Sequence, residues 1–272
     1  MGTDITTVPI DASFFEHAER STMAWLGMAG AIINARGTIV LIDPLLSAIY
    51  RDGRSLCEAD VPLRIPLPLN ASDLPRVDAV LYTHADGDHF GPMTLASLVQ
   101  RHACRFIAPP PVLEAIRKTG ADSSRLTLAR EGDQITVGNA RIRVTPALHD
   151  WQEKDPWKRE DCCGYLVQCA DGVIWHPGDT RLIDDLYAVK GVDVFLFDVA
   201  DVTTHLGPSG SAALAASCGA RILVPYHYGT FDLPPGGYAT CDPDTAKPFL
   251  KDSKARWLQL NPGEPLTLPV GS

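Results

Sequence analysis

Leu81–Pro92 reads LYTHADGDHFGP, and the reading of the whole chain turns on it. His84, Asp86, Asp88 and His89 fall within six residues. An apolar run, Val77–Tyr82, precedes them. Pro92 follows at the first position of an expected helix running to about Arg101, a place where proline's missing N–H costs nothing. The segment is therefore a loop at the carboxyl end of a strand, where open α/β sheets carry their chemistry. Two carboxylates so close repel, and each raises the other's pKa. A divalent cation removes that repulsion and uses the imidazoles as ligands. Gly87 is expected to let the backbone turn sharply so that residues on both sides point inward.

Outward from this loop, short β-branched runs recur at Ile39–Ile42, Ile142–Thr145, Tyr165–Gln168, Val173–Trp175, Val194–Phe197 and Ile222–Pro225, each bounded by turn residues. Helical patterns at Val112–Lys118 and Ser209–Cys218 lie among them, the second closed by Gly219. Strands and helices mixed along the whole length predict a layered α/β architecture, with residues 1–272 as a single domain. His149–Gly164, HDWQEKDPWKREDCCG, breaks the rhythm and is expected to be a surface loop near a site. In the tail, Ala255–Leu260 is a run suited to closing a sheet or pairing with another subunit.

Composition narrows the classes. The chain has 272 residues, 45% hydrophobic and 21% charged, which buries a core and excludes wholesale disorder. A net charge of −9 argues against nucleic acid or an anionic membrane as partner. Seven cysteines, an odd number without CxxC spacing, argue against a disulfide framework and for reduced thiols in the cytoplasm. The amino-terminal stretch carries no basic-then-apolar signal pattern, and no apolar run reaches membrane-spanning length. Walker, GxGxxG and GxSxG motifs are absent from the sequence.

The motifs, in order, resemble the metallo-β-lactamase fold superfamily and its ascorbate-6-phosphate lactonase-like branch of metal-dependent hydrolases. The resemblance covers roughly residues 23–232. MAWLGMAGAIINARGTIVLIDPLLS is similar to that branch's opening hairpin, with Asp43 and Pro44 as its Asp-Pro. LPRVDAVLYTHADGDHFGPMTLASL is similar to the motif strand, loop and helix. ITVGNARIRVTPALHDW ends in His149, VIWHPGDT holds Asp179, and ILVPYHYGTF holds His227. The resemblance implies a four-layer αββα sandwich and two divalent metal ions. His84, Asp86 and His149 would hold the first ion, Asp88, His89 and His227 the second, and Asp179 would bridge them. Zn or Mn are the expected ions, with Fe the alternative. Where the family carries histidine, this chain has Asp86, whose harder oxygen favours Mn²⁺ or Fe²⁺.

That ligand set implies a hydrolase acting on a small-molecule substrate with a lactone, ester, amide, thioester or phosphodiester bond. Asp88 and Asp179 are candidates to accept a proton, and His205 to contact substrate or protonate a leaving group. The rivals are a di-iron oxidoreductase or oxygenase on the same fold, a phosphodiesterase, and a non-catalytic binding protein. Trp151, Trp157, Lys158 and Arg159 are expected to form a lip for an anionic organic substrate. Asp198 is a candidate partner for a ligand histidine or a strand-end cap, and His176 a core histidine. His17 and His102 are expected on helix surfaces. A homo-oligomer is possible on the tail's composition.

Overall fold

The structure, a computed structural model, describes residues 5–234 and 240–268. It opens with a meander of β1 (Thr22–Gly27), β2 (Gly30–Ala35) and β3 (Thr38–Ile42), antiparallel throughout. A separate hairpin follows, β4 (Ala48–Arg51) and β5 (Arg54–Cys57). Its two-residue turn places Asp52 and Gly53 at φ 52° and 76°, the left-handed pair that an Asp-Gly dipeptide favours. Next come β6 (Ala79–Leu81), α1 (Pro92–Arg101), β7 (Arg105–Ala108), α2 (Pro110–Lys118) and β8 (Leu126–Leu128). The second half contributes β9 (Gln134–Val137), β10 (Ala140–Thr145), β11 (Gly164–Cys169), β12 (Gly172–His176), β13 (Val194–Asp198), α3 (Gly207–Cys218), β14 (Ile222–Tyr226), β15 (Arg256–Trp257) and β16 (Pro265–Thr267).

These strands make two seven-stranded mixed sheets. One runs β16-β1-β2-β3-β6-β7-β8 and the other β15-β14-β13-β12-β11-β10-β9. The sheets face each other across one core. Met23 and Trp25 point into it, while Ala24 and Leu26 on the opposite face of β1 pack under α1 and α2 with Leu95, Leu98, Val112 and Ile116. Period-two alternation thus feeds two apolar layers, so the strands are continuous apolar runs. On the far face of the second sheet, α3 packs against β13. Gly219 ends that helix at φ 73°, a left-handed cap that favours glycine. The layers run α, β, β, α, as expected.

Most sequence-expected elements fall where the pattern put them, α1 over the residues named. The tail does two jobs: Arg256–Trp257 pairs parallel to β14, and β16 pairs antiparallel to β1, so it extends both sheets. His17 lies just beyond a short 3₁₀ turn, Ala12–Phe15, rather than on a helix, and His102 caps the end of α1. Cys162 and Cys163 precede β11. All seven cysteines are free thiols. Among the described residues no helix is long and apolar enough to cross a membrane.

The strands preceding Asp43, His84, His149, Asp179 and His227 all end at one edge of the sandwich. β3 and β6 are parallel, β12, β13 and β14 are parallel, and β10 shares their direction through the antiparallel β11. The topology alone delivers every sequence-predicted ligand to one place.

Candidate metal centre

Asp179 is the hub. Its Oδ2 lies 3.2 Å from His89 Nε2, 3.4 Å from His205 Nε2 and 3.9 Å from His84 Nε2, and its Oδ1 lies 3.4 Å from His227 Nε2. To one side, Asp86 Oδ2 stands 3.4 Å from His84 Nε2 and 3.2 Å from His149 Nε2. To the other, Asp88 Oδ2 stands 3.7 Å from His89 Nε2. Among the described residues two groups that share no member are each compact enough to hold one ion, His84, Asp86 and His149, and Asp88, His89, Asp179 and His227; His205 makes two further groups that overlap these, with His149 and Asp179 and with Asp198 and His227. His84, His89 and His227 are fully buried, and Asp179, His149, Asp88 and His205 nearly so.

Every imidazole is held from behind by its Nδ1. Asp43 Oδ2 accepts from His89 at 2.8 Å, and Asp198 Oδ1 from His227 at 2.8 Å. Thr83 Oγ1 accepts from His84 at 2.9 Å and itself donates to Asp43 Oδ2 at 2.6 Å. The Thr204 carbonyl accepts from His149 at 3.1 Å, and Asp198 Oδ2 from His205 at 3.1 Å. With the proton on Nδ1, each Nε2 turns a lone pair inward, the tautomer a metal ligand needs.

The inward-facing atoms have too few partners among themselves. His84 Nε2, Asp88 Oδ2 and Asp179 Oδ1 are buried without a hydrogen-bond partner. His227 Nε2 and His89 Nε2 face each other across the same space, 3.4 Å apart. Buried orphan acceptors cost about 1–3 kcal/mol each unless something positive satisfies them. A donor set of imidazole nitrogens and carboxylate oxygens, orphaned toward a common space, fits divalent cations.

The electrostatics carry the same signature. Burial opposes ionisation of Asp179, yet His205, His227 and His89 hold its carboxyl well below the usual range. Burial likewise disfavours a charged His89, but Asp179, Asp88 and Asp43 outweigh it and draw a proton onto the ring. For His205, burial is outweighed by Asp179 and Asp198, and its pKa is pushed up to about 9. His84 moves the other way, lowered by burial and then by its neighbour His89. Asp86 stays well below the usual range despite burial because His149, His84 and Trp151 hydrogen-bond it.

Backbone strain sits at two of these positions. Asp43 has φ 43° and His227 φ 66°, the left-handed region that side chains other than glycine avoid. Hydrogen bonds from Asp43 N to the Leu81 carbonyl (2.9 Å) and from His227 N to the Met28 carbonyl (3.2 Å) hold them there. Gly87 departs from expectation: it lies outside the left-handed region, and an added Cβ would meet only the Ala59 Cβ, at 3.4 Å. The turn does not require glycine; its small size leaves room in the cleft wall.

The centre opens into a cleft of about 480 Å³, with Trp151, Val202, Ala59, Val61 and Thr204 on its walls and His205 among its polar lining. The loop after His149 divides. Trp151 is half-exposed at the mouth, and its Nε1 donates to Asp86 Oδ2 at 2.8 Å. Trp157 packs edge-on against His84, ring centres 5.6 Å apart. Arg159 turns away to pair with Asp185 and Glu131 at 2.6 and 2.8 Å, so the expected cationic lip does not form with it. His176 is a satisfied core histidine, its Nε2 2.7 Å from the Ala29 carbonyl and its Nδ1 accepting from Gly178 N.

Sequence reasoning missed three supports. It placed Asp43 only as the Asp-Pro of the opening hairpin, and Thr83 not at all. Glu58 follows β5 and accepts from Met93 N (2.6 Å), Thr94 N (2.8 Å) and Thr94 Oγ1. It caps α1 from outside, because Gly91 at the cap position has no side chain to do so. That bond ties the wall segment Ala59–Val61 to the helix leaving the ligand loop.

A family model for the beta-lactamase superfamily domain matches residues 38–228. The chain belongs to the beta-lactamase superfamily. Among its relatives, a UPF0173 metal-dependent hydrolase of Methanoculleus marisnigri is 30% identical over 215 residues, covering 77% of this chain and 81% of the relative. Among solved structures, Igni18, a metallo hydrolase of Ignicoccus hospitalis, superposes with a TM-score of 0.69 at 18% identity, covering 92% of this chain and 99% of its own. CmlA, a diiron β-hydroxylase of Streptomyces venezuelae, superposes at 0.67 and 18% identity over 93% of this chain and 55% of its own. Both superpositions show the shared fold.

Proposed function

We propose that this chain is a hydrolase of small organic molecules that works with two divalent ions. His84, Asp86 and His149 would hold the first and Asp88, His89 and His227 the second, with Asp179 between them. The observation that carries this reading is the convergence of five imidazole Nε2 atoms on Asp179 and Asp86, each ring locked from behind through Nδ1. The relatives' description as metal-dependent hydrolases supports it. Zn or Mn suit the mixed nitrogen and oxygen donors, and the extra carboxylate of Asp86 keeps Fe within range.

Bound cations supply Lewis acidity and a lowered water pKa at the reacting centre. The residues do the rest. Asp179 cannot act as a free base, since four imidazoles surround it; its part is to hold the two groups in register. Asp88, with an unpartnered Oδ2 lining the cleft, is the carboxylate placed to accept a proton from water. His205 presents Nε2 to the same cleft while Asp198 fixes its Nδ1 proton. It is placed to deliver a proton to a leaving group, which general-acid catalysis makes worth about 10²–10⁴-fold. Cyclic and open esters are the bonds the lactonase-like motifs favour. Seven free thiols support a reducing compartment such as the cytoplasm.

The test is a panel of lactones, aryl esters, amides and bis-aryl phosphates given to protein loaded with Zn or Mn. Turnover of an ester or amide, lost on His205→Ala most for substrates with poor leaving groups, is the expected result. Oxygen consumption by iron-loaded protein with no hydrolysis of any member would overturn the reading in favour of the di-iron alternative.

A further inference from the structure

We infer that the cleft is built for an uncharged organic molecule with a flat or branched apolar end, and that it discriminates against anions. This rests on the hydrolase reading for its location and adds the class of substrate. The walls beyond the metal-binding groups are Trp151, Val202, Val61, Ala59 and Gly87, with Thr204 the one hydroxyl among them and His205 the one imidazole, its Nδ1 held by Asp198. Trp151 and Val202 are exposed to 55% and 39%, two large apolar side chains left uncovered at the mouth. The Trp151 ring is tethered at one edge by its bond to Asp86, so it stands as a fixed wall. A cleft of this size, mostly apolar with few polar groups, is the usual form of a small-molecule site.

What the walls lack is as informative. No lysine or arginine lines the cleft among the described residues, and residues 1–4, 235–239 and 269–272 contain none in their sequence. Two arginines that flank the region are engaged elsewhere, and Lys154 and Lys158 of the same loop are exposed and line no part of the cleft. Arg181 pairs with Asp150 at 2.5 Å, and Arg159 with Glu131 and Asp185. A carboxylate or phosphate on the substrate would meet no guanidinium or ammonium there, whereas recognition of such groups normally uses one.

Charge counting at the floor agrees. Asp86, Asp88 and Asp179 bring three negative charges against the four of two divalent ions. With histidine at position 86 the carboxylates would bring two. Asp86 therefore removes one unit of the residual positive charge that would draw an anion inward. The whole chain, at −9, adds a repulsive field.

The test uses probes of one shape and two charges. 4-(Methylsulfonyl)acetophenone is neutral, and 4-acetylbenzenesulfonate carries a charge on a group that coordinates metals poorly. Neither has a bond to hydrolyse. Titration calorimetry on the metal-loaded protein should show the neutral ketone binding at least tenfold more tightly. Val202→Lys, which sets an ammonium on the wall, should shift the ratio at least tenfold toward the sulfonate, and Val202→Met should keep the wild-type order. Equal or tighter binding of the sulfonate by wild type overturns the inference, as does a Val202→Lys variant with an unchanged ratio. The matched acetates, 4-(methylsulfonyl)phenyl acetate and 4-acetoxybenzenesulfonate, test turnover separately. Failure to hydrolyse either, with the ketone binding order intact, counts against the hydrolase reading alone.

Discussion

Asp43→Asn should weaken the second metal position without unfolding the protein. Asp43 is fully buried and accepts three hydrogen bonds, from Thr83 N (2.7 Å), Thr83 Oγ1 (2.6 Å) and His89 Nδ1 (2.8 Å). The variant side chain keeps one carbonyl oxygen, which can still serve Thr83 N. Its amide nitrogen then occupies the place of Oδ2 and turns a donor toward His89 Nδ1. The ring must answer by moving its proton to Nε2, the atom that faces Asp179 at 3.2 Å. A protonated Nε2 has no lone pair for a cation, and restoring it requires an unmatched N–H pair behind the ring. Loss of such an outer partner typically costs 10–100-fold in metal affinity, or about 1.4–2.8 kcal/mol. The assay is competition against a chromophoric chelator, with metal content by mass spectrometry and folding checked by circular dichroism. One affinity should fall 10–100-fold while the other, served by His84, Asp86 and His149, stays within about threefold. Two unchanged affinities in a folded variant would refute the argument that Nδ1 hydrogen bonds set these rings.

Thr83→Val removes the hydroxyl that accepts from His84 Nδ1 and should weaken the first position instead, again by about 10-fold or more in the same competition assay. Asp179→Ala removes the hub and should abolish turnover and drop metal content below one equivalent; activity surviving it would break the mechanism. Asp171→Ala tests stability away from the site. Asp171, in the β11–β12 turn, accepts from Ser21 N and Oγ at 2.8 Å each and from Arg36 Nε at 2.9 Å, which joins the two sheets. Its loss should cost about 1–3 kcal/mol in urea unfolding at pH 7. Arg36 and Ser21 hold the Asp171 pKa below its unfolded value, so its contribution is present above about pH 4 and fades as pH falls below that. The gap between variant and wild type should therefore narrow at pH 3, and a gap that widens there contradicts the assignment.

What the sequence revealed and concealed follows from the range of the interactions. The loop Leu81–Pro92 was legible because its strand, four ligand-type side chains and Pro-started helix are adjacent in sequence. His149, Asp179 and His227 were legible through their motifs, and the parallel strand ends explain why distant motifs meet. The hairpin of β4 and β5 carries a short-range signal, the Asp52-Gly53 dipeptide, but the arginines on either side of it mask the apolar alternation that marks a strand. Asp198 was legible as a candidate partner for a ligand histidine, and it holds His227 and His205; Asp43 and Thr83 hold ligand rings from 46 residues away or through a neighbour's hydroxyl, and no local spacing announces such a role. Glu58 caps a helix 35 residues further on, which only tertiary packing arranges. The fate of Arg159 was hidden for the same reason: its carboxylate partners come from two other segments, and they turn it from the cleft.

The most direct test of the central claim is metal content, by mass spectrometry, of protein purified without chelator or affinity metal and then saturated with Zn or Mn. The arrangement of His84, Asp86 and His149 on one side of Asp179 and Asp88, His89 and His227 on the other predicts two equivalents per chain. One equivalent or fewer under saturating supply would contradict it.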